Sequence, residues 1–422
     1  MAMTSAAAAD AAIEGSISEL REVNRLVYLR PDNSSICDKR CMKSYNFSSS
    51  AYAAGQTAQA IINSGGDALW GPNCYIRFEF TKDAGTIGVG TVLNFIKNVR
   101  LTHRSGEVLE YVQNANVLGR IKLLFGMSAE DSTKMTELLQ VPGGAGTYIA
   151  QIPLHMLLGV FANREQYIPP RFLAGAKLEL DLESNAVAFA TAGTLTDVKP
   201  TIVLDSVQLY DSVQKQLLDE QADVANSGIQ FHYSTFFNSS ALFVGTAVNF
   251  DVQQSASITQ KVCAVLRKSA SLAEAADSFL YLAGAQKVQW RLGSQYFPQQ
   301  ALNLVAGAPD ASRQSEAYLQ ALTAWEAAPM QFAGSTASGQ GAAGTLVGWQ
   351  TAAQGQAVYS QTMEKASTGL QLTGEPTNNS RILNLEMTKA DAAQAYSGDR
   401  VDVFLEYLRV ANIMGDNIVV DR

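Results

Sequence analysis

Few residues of this chain are of the types that do chemistry, and they are scattered. Gly339-Gln340-Gly341-Ala342-Ala343-Gly344 has G-x-G-x-x-G spacing, by which a glycine turn brings a dinucleotide pyrophosphate to a helix N-terminus. Glu364 follows 20 residues after Gly344, where an acid would take the ribose hydroxyls. The context refuses that geometry: a buried strand should precede and a helix follow, but Ala333-Gly334-Ser335-Thr336 precedes and Thr345-Leu346-Val347-Gly348-Trp349 follows. In a Gly/Ala-rich run such a match arises freely, and no cofactor is assigned. His103, His155 and His232 share no metal-binding spacing, and each lies beside an expected strand. Cys37-x-x-x-Cys41 lacks a second ligand pair, Cys74 does not complete one, and Cys263 stands apart. There is no G-x-S-x-G elbow and no Walker A sequence. Glu179 and Asp181 alternate with an apolar strand face, which solvation explains without catalysis. The expected catalytic, cofactor-binding and metal-binding residues are therefore none.

Chemistry being absent, the elements carry the information. The 422 residues are enough for two or three domains with sizeable cores. Hydrophobic residues make up 47% and charged ones only 17%, a low-charge surface that expects partners. A formal net charge of −8 argues against broad coating of nucleic acid, since phosphate neutralisation needs clustered Lys and Arg. Four cysteines form no disulfide framework, so synthesis in a reducing compartment is expected. Met1 to Ala12 lacks the basic and Leu/Val-rich regions of a secretory signal. No apolar run reaches about 18 residues, the length of a membrane-spanning helix. The sequons at Asn33, Asn46, Asn238 and Asn378 matter only in a secreted chain.

Tyr210 to Phe231 reads as a connector: Val213, Leu217 and Leu218 among polar residues suit a short, half-exposed helix, and Ser227-Gly228 ends it. The segments 202–209 and 403–410 align at an offset of 201 residues, Ile202 on Val403, Leu204 on Leu405, Asp205 on Glu406 and Val207 on Leu408. Each half thus ends on an equivalent strand, as one β domain occurring twice would. The expected division is an N-terminal arm 1–66, a first β domain 67–215, a connector 216–230 and a second β domain 231–422 with an insertion at about 301–363. Between Arg21 and Lys43 the arm carries six basic against three acidic residues, either a solvated face or a tail packed near an anionic membrane or genome.

From Cys74 the period is two, with Ile76, Phe78 and Phe80 on one face. Phe95–Leu101 and Val108–Val112 flank Arg104-Ser105-Gly106-Glu107 as a hairpin. A short helix is expected after Ser128, and strands at 151–154, 178–182, 202–209, 244–248, 258–266, 288–292, 382–387 and 401–410. Tyr318, Leu322 and Trp325 form a helical stripe inside the insertion, and Ala333–Gln356 reads as an exposed excursion. Many strands with few helices predict an all-β sandwich or barrel.

The order of Phe95–Val112, Gln151-Ile152-Pro153-Leu154-His155-Met156-Leu157-Leu158-Gly159, Tyr167-Ile168-Pro169-Pro170-Arg171-Phe172-Leu173 and Leu178–Leu182 resembles the first barrel of double jelly-roll major capsid proteins. Trp290-Arg291-Leu292-Gly293-Ser294-Gln295-Tyr296-Phe297-Pro298 is similar to a segment in capsid proteins of small protist viruses, Polinton-like elements and related tailless icosahedral DNA viruses. The resemblance spans roughly Trp70 to Ile413. It implies two tandem eight-stranded jelly-roll β-barrels with short helices in loops and an N-terminal arm. It also implies a homotrimeric, pseudo-hexagonal capsomer tiling a virion assembled inside the host cell, beside penton and minor capsid proteins. The arm would then run under the shell towards a membrane or genome, and Ala333–Gln356 would form an outward or intercapsomer loop. Two other classes stay open: a receptor-binding or adhesin-like β protein, and a jelly-roll carbohydrate-active enzyme with convergent carboxylates.

Overall fold

The computed structural model describes residues 37–85, 91–127, 129–164, 166–189, 193–222, 229–243, 247–267, 285–303, 320–321, 323–325, 358–364, 374–377, 381–389, 399–414 and 417–421. The glycine motif 339–344, the arm before Cys37, Asn33, Asn378, Ser227-Gly228 and most of the insertion lie outside the described residues.

The first half contributes β1 (Cys37–Asn46), β2 (Thr57–Ile62), the two-residue β3 (Ala68–Leu69), β4 (Tyr75–Lys82), β5 (Ile96–Thr102), β6 (Val108–Val112), β7 (Gly146–Pro153), β8 (Ala176–Leu182) and β9 (Leu195–Leu209). They form two antiparallel sheets, β1-β9-β4-β7 with β3 on β9, and β2-β8-β5-β6. The second half contributes β10 (Ile229–Phe243), β11 (Ala247–Val252), β12 (Ala256–Arg267), β13 (Ala285–Leu292), β14 (Gln295–Asn303), β15 (Val358–Thr362), β16 (Glu375–Thr377), β17 (Leu383–Lys389), β18 (Asp399–Met414) and β19 (Asn417–Asp421). Its sheets run β10-β18-β12-β15 and β11-β17-β13-β14, with β16 on β12 and β19 on β18. Setting β3, β16 and β19 aside leaves eight strands per half, paired by rank as 1-8-3-6 and 2-7-4-5 in both. That order is the jelly roll, which here occurs twice.

Alternation places the core. Ile76, Phe78 and Phe80 of β4 and Leu178, Leu180 and Leu182 of β8 are buried, while Arg77 and the strand's polar partners look outwards. Phe78, Phe80, Phe95 and Phe189 meet at centroid separations of 5.1–6.3 Å between the two sheets. Each such side chain stabilises the sandwich by about 2–3 kcal/mol relative to exposure. Of the outward carboxylates, Glu179 pairs with Lys177 at 2.6 Å, and Asp181 accepts from Thr57 Oγ1 at 2.7 Å and Asn98 Nδ2 at 3.0 Å.

The first sandwich begins earlier than its composition indicates. Residues 37–46 and 57–62, read in the sequence as arm, are β1 and β2, paired with β9 and β8. β1 was hidden because it is an edge strand with Asp38, Lys39 and Arg40 exposed, and β2 because the small Ala58 and Ala60 mark its buried face only weakly. Helix α1 (Ala115–Phe125) was not legible either, whereas α2 (Ala129–Leu139) and the connector helix α3 (Asp211–Ala222) fall where their patterns predict. Because successive antiparallel strands alternate direction, Cys37, the β5–β6 turn, Leu209 with α3, and the start of β10 share one end of the molecule. Asn303 and Val358, which bound the insertion, lie at the opposite end.

Candidate functional site

The two sandwiches are joined by a buried polar seam. It lies where β10 and the end of β18 meet β6, α1 and the Gly159–Phe161 turn. Tyr233 Oη and Arg409 Nη1 both donate to the Leu109 carbonyl at 2.6 Å, and Arg409 also reaches the Val108 carbonyl at 3.1 Å. Asn114 Nδ2 donates to Asn238 Oδ1 at 2.7 Å, and Phe172 packs on Phe231 with centroids 5.1 Å apart. Asn238, one of the sequon residues, is thereby buried.

Glu110 is at the centre and has no solvent exposure. Its carboxylate accepts from Gly159 N at 2.7 Å, Val160 N at 3.2 Å and, across the seam, Thr235 Oγ1 at 2.8 Å. Burial holds this carboxyl above the usual range, and the three donors and Lys122 offset only part of that rise. Lys122 donates to the Met156 carbonyl at 3.0 Å, and burial brings its ammonium down to about 8. From Lys122 a stack crosses the seam. Its Nζ lies 5.0 Å from the Phe236 ring, Phe236 lies parallel to Trp325 at 5.9 Å, and Lys261 Nζ sits 4.6 Å from Trp325 while pairing with Glu406 at 2.7 Å. Trp325 Nε1 donates to Ser360 Oγ at 2.9 Å, fixing the one described stripe residue of the insertion's helix.

The strands aligned by sequence each place a carboxylate beside a cation, though from different neighbouring strands, β1 for Asp205 and β12 for Glu406. Asp205 of β9 accepts from Arg40 Nε at 2.8 Å and Asn73 Nδ2 at 2.9 Å; burial pushes its pKa up, but these donors hold it below the usual carboxylate range. Glu406 of β18 occupies the equivalent place, with Lys261 as its cation.

The histidines lie apart. His103 Nδ1 is satisfied by Ser105 within the β5–β6 turn, His232 is on β10, and His155 follows β7. Among the described residues no three His, Cys, Asp or Glu side chains are placed to hold a metal ion. Cys74 and Cys263 are buried thiols pushed up to about 12 by desolvation, and Cys37 and Cys41 lie on β1. The seam residues were missed by sequence reading, although Glu110 shares a strand face with Val108 and Val112. An acid on an apolar face was the available signal.

Burial, with the Lys122 charge, brings His155 down to about 4 from 6.5. Between these values the unfolded chain binds a proton that the folded chain refuses, so this contribution to stability is lost as pH falls from about 6.5 towards 4. A loss of about 1–2 kcal/mol is expected after allowing for partial exposure. Between pH 7 and pH 4.5 the urea midpoint of the wild type should fall further than that of His155→Gln, whatever their difference at pH 7; parallel falls would remove His155 as the cause.

No protein-family model and no curated protein matches the sequence. Solved structures do. The PBCV-1 virus capsid superposes with a TM-score of 0.62 at 12% identity, covering 94% of this chain and 98% of that one. The Faustovirus major capsid protein gives 0.60 at 8% identity over 93% and 94%. The mavirus major capsid protein gives 0.52 at 12% identity over 93% of each chain. The chain has their fold, along nearly its full length, with almost none of their sequence.

Proposed function

We propose that the chain is the major capsid protein of an icosahedral DNA virus and that three copies close into a pseudo-hexagonal capsomer. The observation that carries the assembly is the seam and the edge that repeats it. Since both halves have one strand order, β1 is to the first sandwich what β10 is to the second, and β14 corresponds to β6. Met42 faces Asp205 in the register where Phe236 faces Glu406. Phe236 is buried in the seam at 5% exposure, but Met42 is 51% exposed and Tyr296 on β14 is 42% exposed. A contact between unlike edges repeats head to tail until rotation closes it, and three two-sandwich chains then supply six similar walls. An apolar side chain left bare at the equivalent of a buried one is what such a ring would cover.

The arm end and the insertion end are opposite, which supports an arm beneath the shell and an insertion on its outside. In this reading the chain resides in the virion, assembled in the host cell with penton and minor capsid proteins, and carries no catalytic site.

Solution mass with images of the same species tests the reading. Wild-type protein should have the mass of about three chains and hexagonal outlines, and Met42→Glu should remain folded by circular dichroism yet lose that mass. Unchanged assembly of Met42→Glu would remove the β1 edge from the contact. A wild-type monomer with no assemblies would sink the capsomer and favour the attachment or carbohydrate-active readings.

A further inference from the structure

We infer that the end of the first sandwich carries a binding site for a phosphate group, with the headgroup of an anionic lipid as its source. The site is an open cleft of about 460 Å³ lined by Asn63, Gly65, Gly66, Arg104, Arg171, Ala174 and Gln214. These residues come from three inter-strand connections and from α3, so the fold itself converges on the cleft. Among the described residues its charged lining is the guanidiniums of Arg104 and Arg171, in a chain with net charge −8. Guanidiniums present paired N–H donors that match phosphate oxygens, and the Gln214 amide adds a neutral donor.

The backbone holds this arrangement in place. Arg171 has φ +67°, a left-handed conformation uncommon for a residue with a β-carbon, within a turn closed by Phe172 N to the Pro169 carbonyl and Ala174 N to the Arg171 carbonyl. A β-carbon at Gly175, φ +75°, would lie 3.2 Å from Arg104 Cβ, so the glycine lets the Arg104 stem lie against that turn. Gln214 Nε2 donates to the Gly66 carbonyl at 3.3 Å and ties the connector helix to the cleft wall.

Two features select a lipid headgroup over a nucleic acid. Among the described residues no aromatic ring lines the cleft to stack a base. Beside the cleft in sequence, Ile61 is 68% exposed and Tyr210 45% exposed, apolar and amphipathic groups next to cations as at a membrane interface. The cleft also opens at the end where the chain enters β1. It does not depend on trimer formation.

The test uses the full chain. Binding of inorganic phosphate by titration calorimetry and flotation with vesicles of phosphatidylcholine, alone or with phosphatidic acid, would be compared for wild type, R104Q/R171Q and the equal-charge control K97Q/K199Q. Wild type should bind phosphate and float only with anionic vesicles. The cleft variant should partition about 30-fold less, at roughly fivefold per cation, with the control and the assembled mass unchanged. Phosphate binding lost without any flotation would keep the anion site and remove the lipid source. Cleft-dependent binding of a short DNA duplex in preference to vesicles would overturn the lipid assignment. No phosphate binding by wild type, or equal loss in the control, would overturn the site.

Discussion

Gly159→Ala is expected to unfasten the two sandwiches. A β-carbon there would fall within the Ser234 carbonyl group, whose carbon is 2.8 Å away, and 3.3 Å from Glu110 Oε1. The obstruction is backbone, so no rotamer change relieves it. Ser234 cannot retreat cheaply, because its neighbours Tyr233 and Thr235 are bonded to Leu109 and Glu110 and its strand is paired to β18 along its length. The 159–161 turn must move instead, which stretches Gly159 N and Val160 N away from Glu110. Overpacking of this kind costs about 3 kcal/mol, and each buried group left unbonded about 1–3 more. Chemical denaturation should show a large fall in midpoint, with the two halves unfolding at separate denaturant concentrations. Gly143→Ala, with nothing within 4 Å of the added carbon, is the control. Similar midpoints for both variants would mean that the close approach does not constrain the seam.

Glu110→Ala is expected to cost about 3–5 kcal/mol, since it leaves several buried donors unpaired at about 1–3 kcal/mol each. Three donors, Gly159 N, Val160 N and Thr235 Oγ1, would lose their acceptor together. Lys122 would lose the carboxylate that offsets its desolvation and the repulsion from Lys261. The second loss separates this site from an ordinary packing defect. In a double-mutant cycle, Glu110→Ala with Lys122→Met should be less damaging than the sum of the single changes by about 1–3 kcal/mol. Strict additivity would show that the two groups do not interact and that Glu110 acts only through its hydrogen bonds.

The legible parts of the chain were those with one wet and one dry face. β4 and β8 alternate and the β5–β6 hairpin flanks a Gly-containing turn, and each appears where its pattern places it. β10 does not keep one alternation: Phe231, Tyr233 and Thr235 are buried at odd positions and Phe236 and Asn238 at even ones, and all five reach the first sandwich. Its first residues therefore fell in the expected connector, and the rest matched no strand pattern. α1 escaped for a related reason, since Val117, Leu118, Ile121 and Leu123 are all buried and leave no clean stripe. β1 failed in the opposite sense, its charged outer face being that of an edge strand.

By itself the sequence determined the β class, the connector helix and the equivalence of the strands that end each half. Periodicity and the 201-residue offset are local or pairwise properties of the chain. Only the tertiary structure decided which edges meet. The seam brings Glu110 to Thr235 across 125 positions and Arg409 to Leu109 across 300. A buried carboxylate and a bare Met42 read alike as isolated letters. What distinguishes them is the dielectric and the neighbours that each acquires when the chain folds, and those depend on packing between surfaces rather than on residue order.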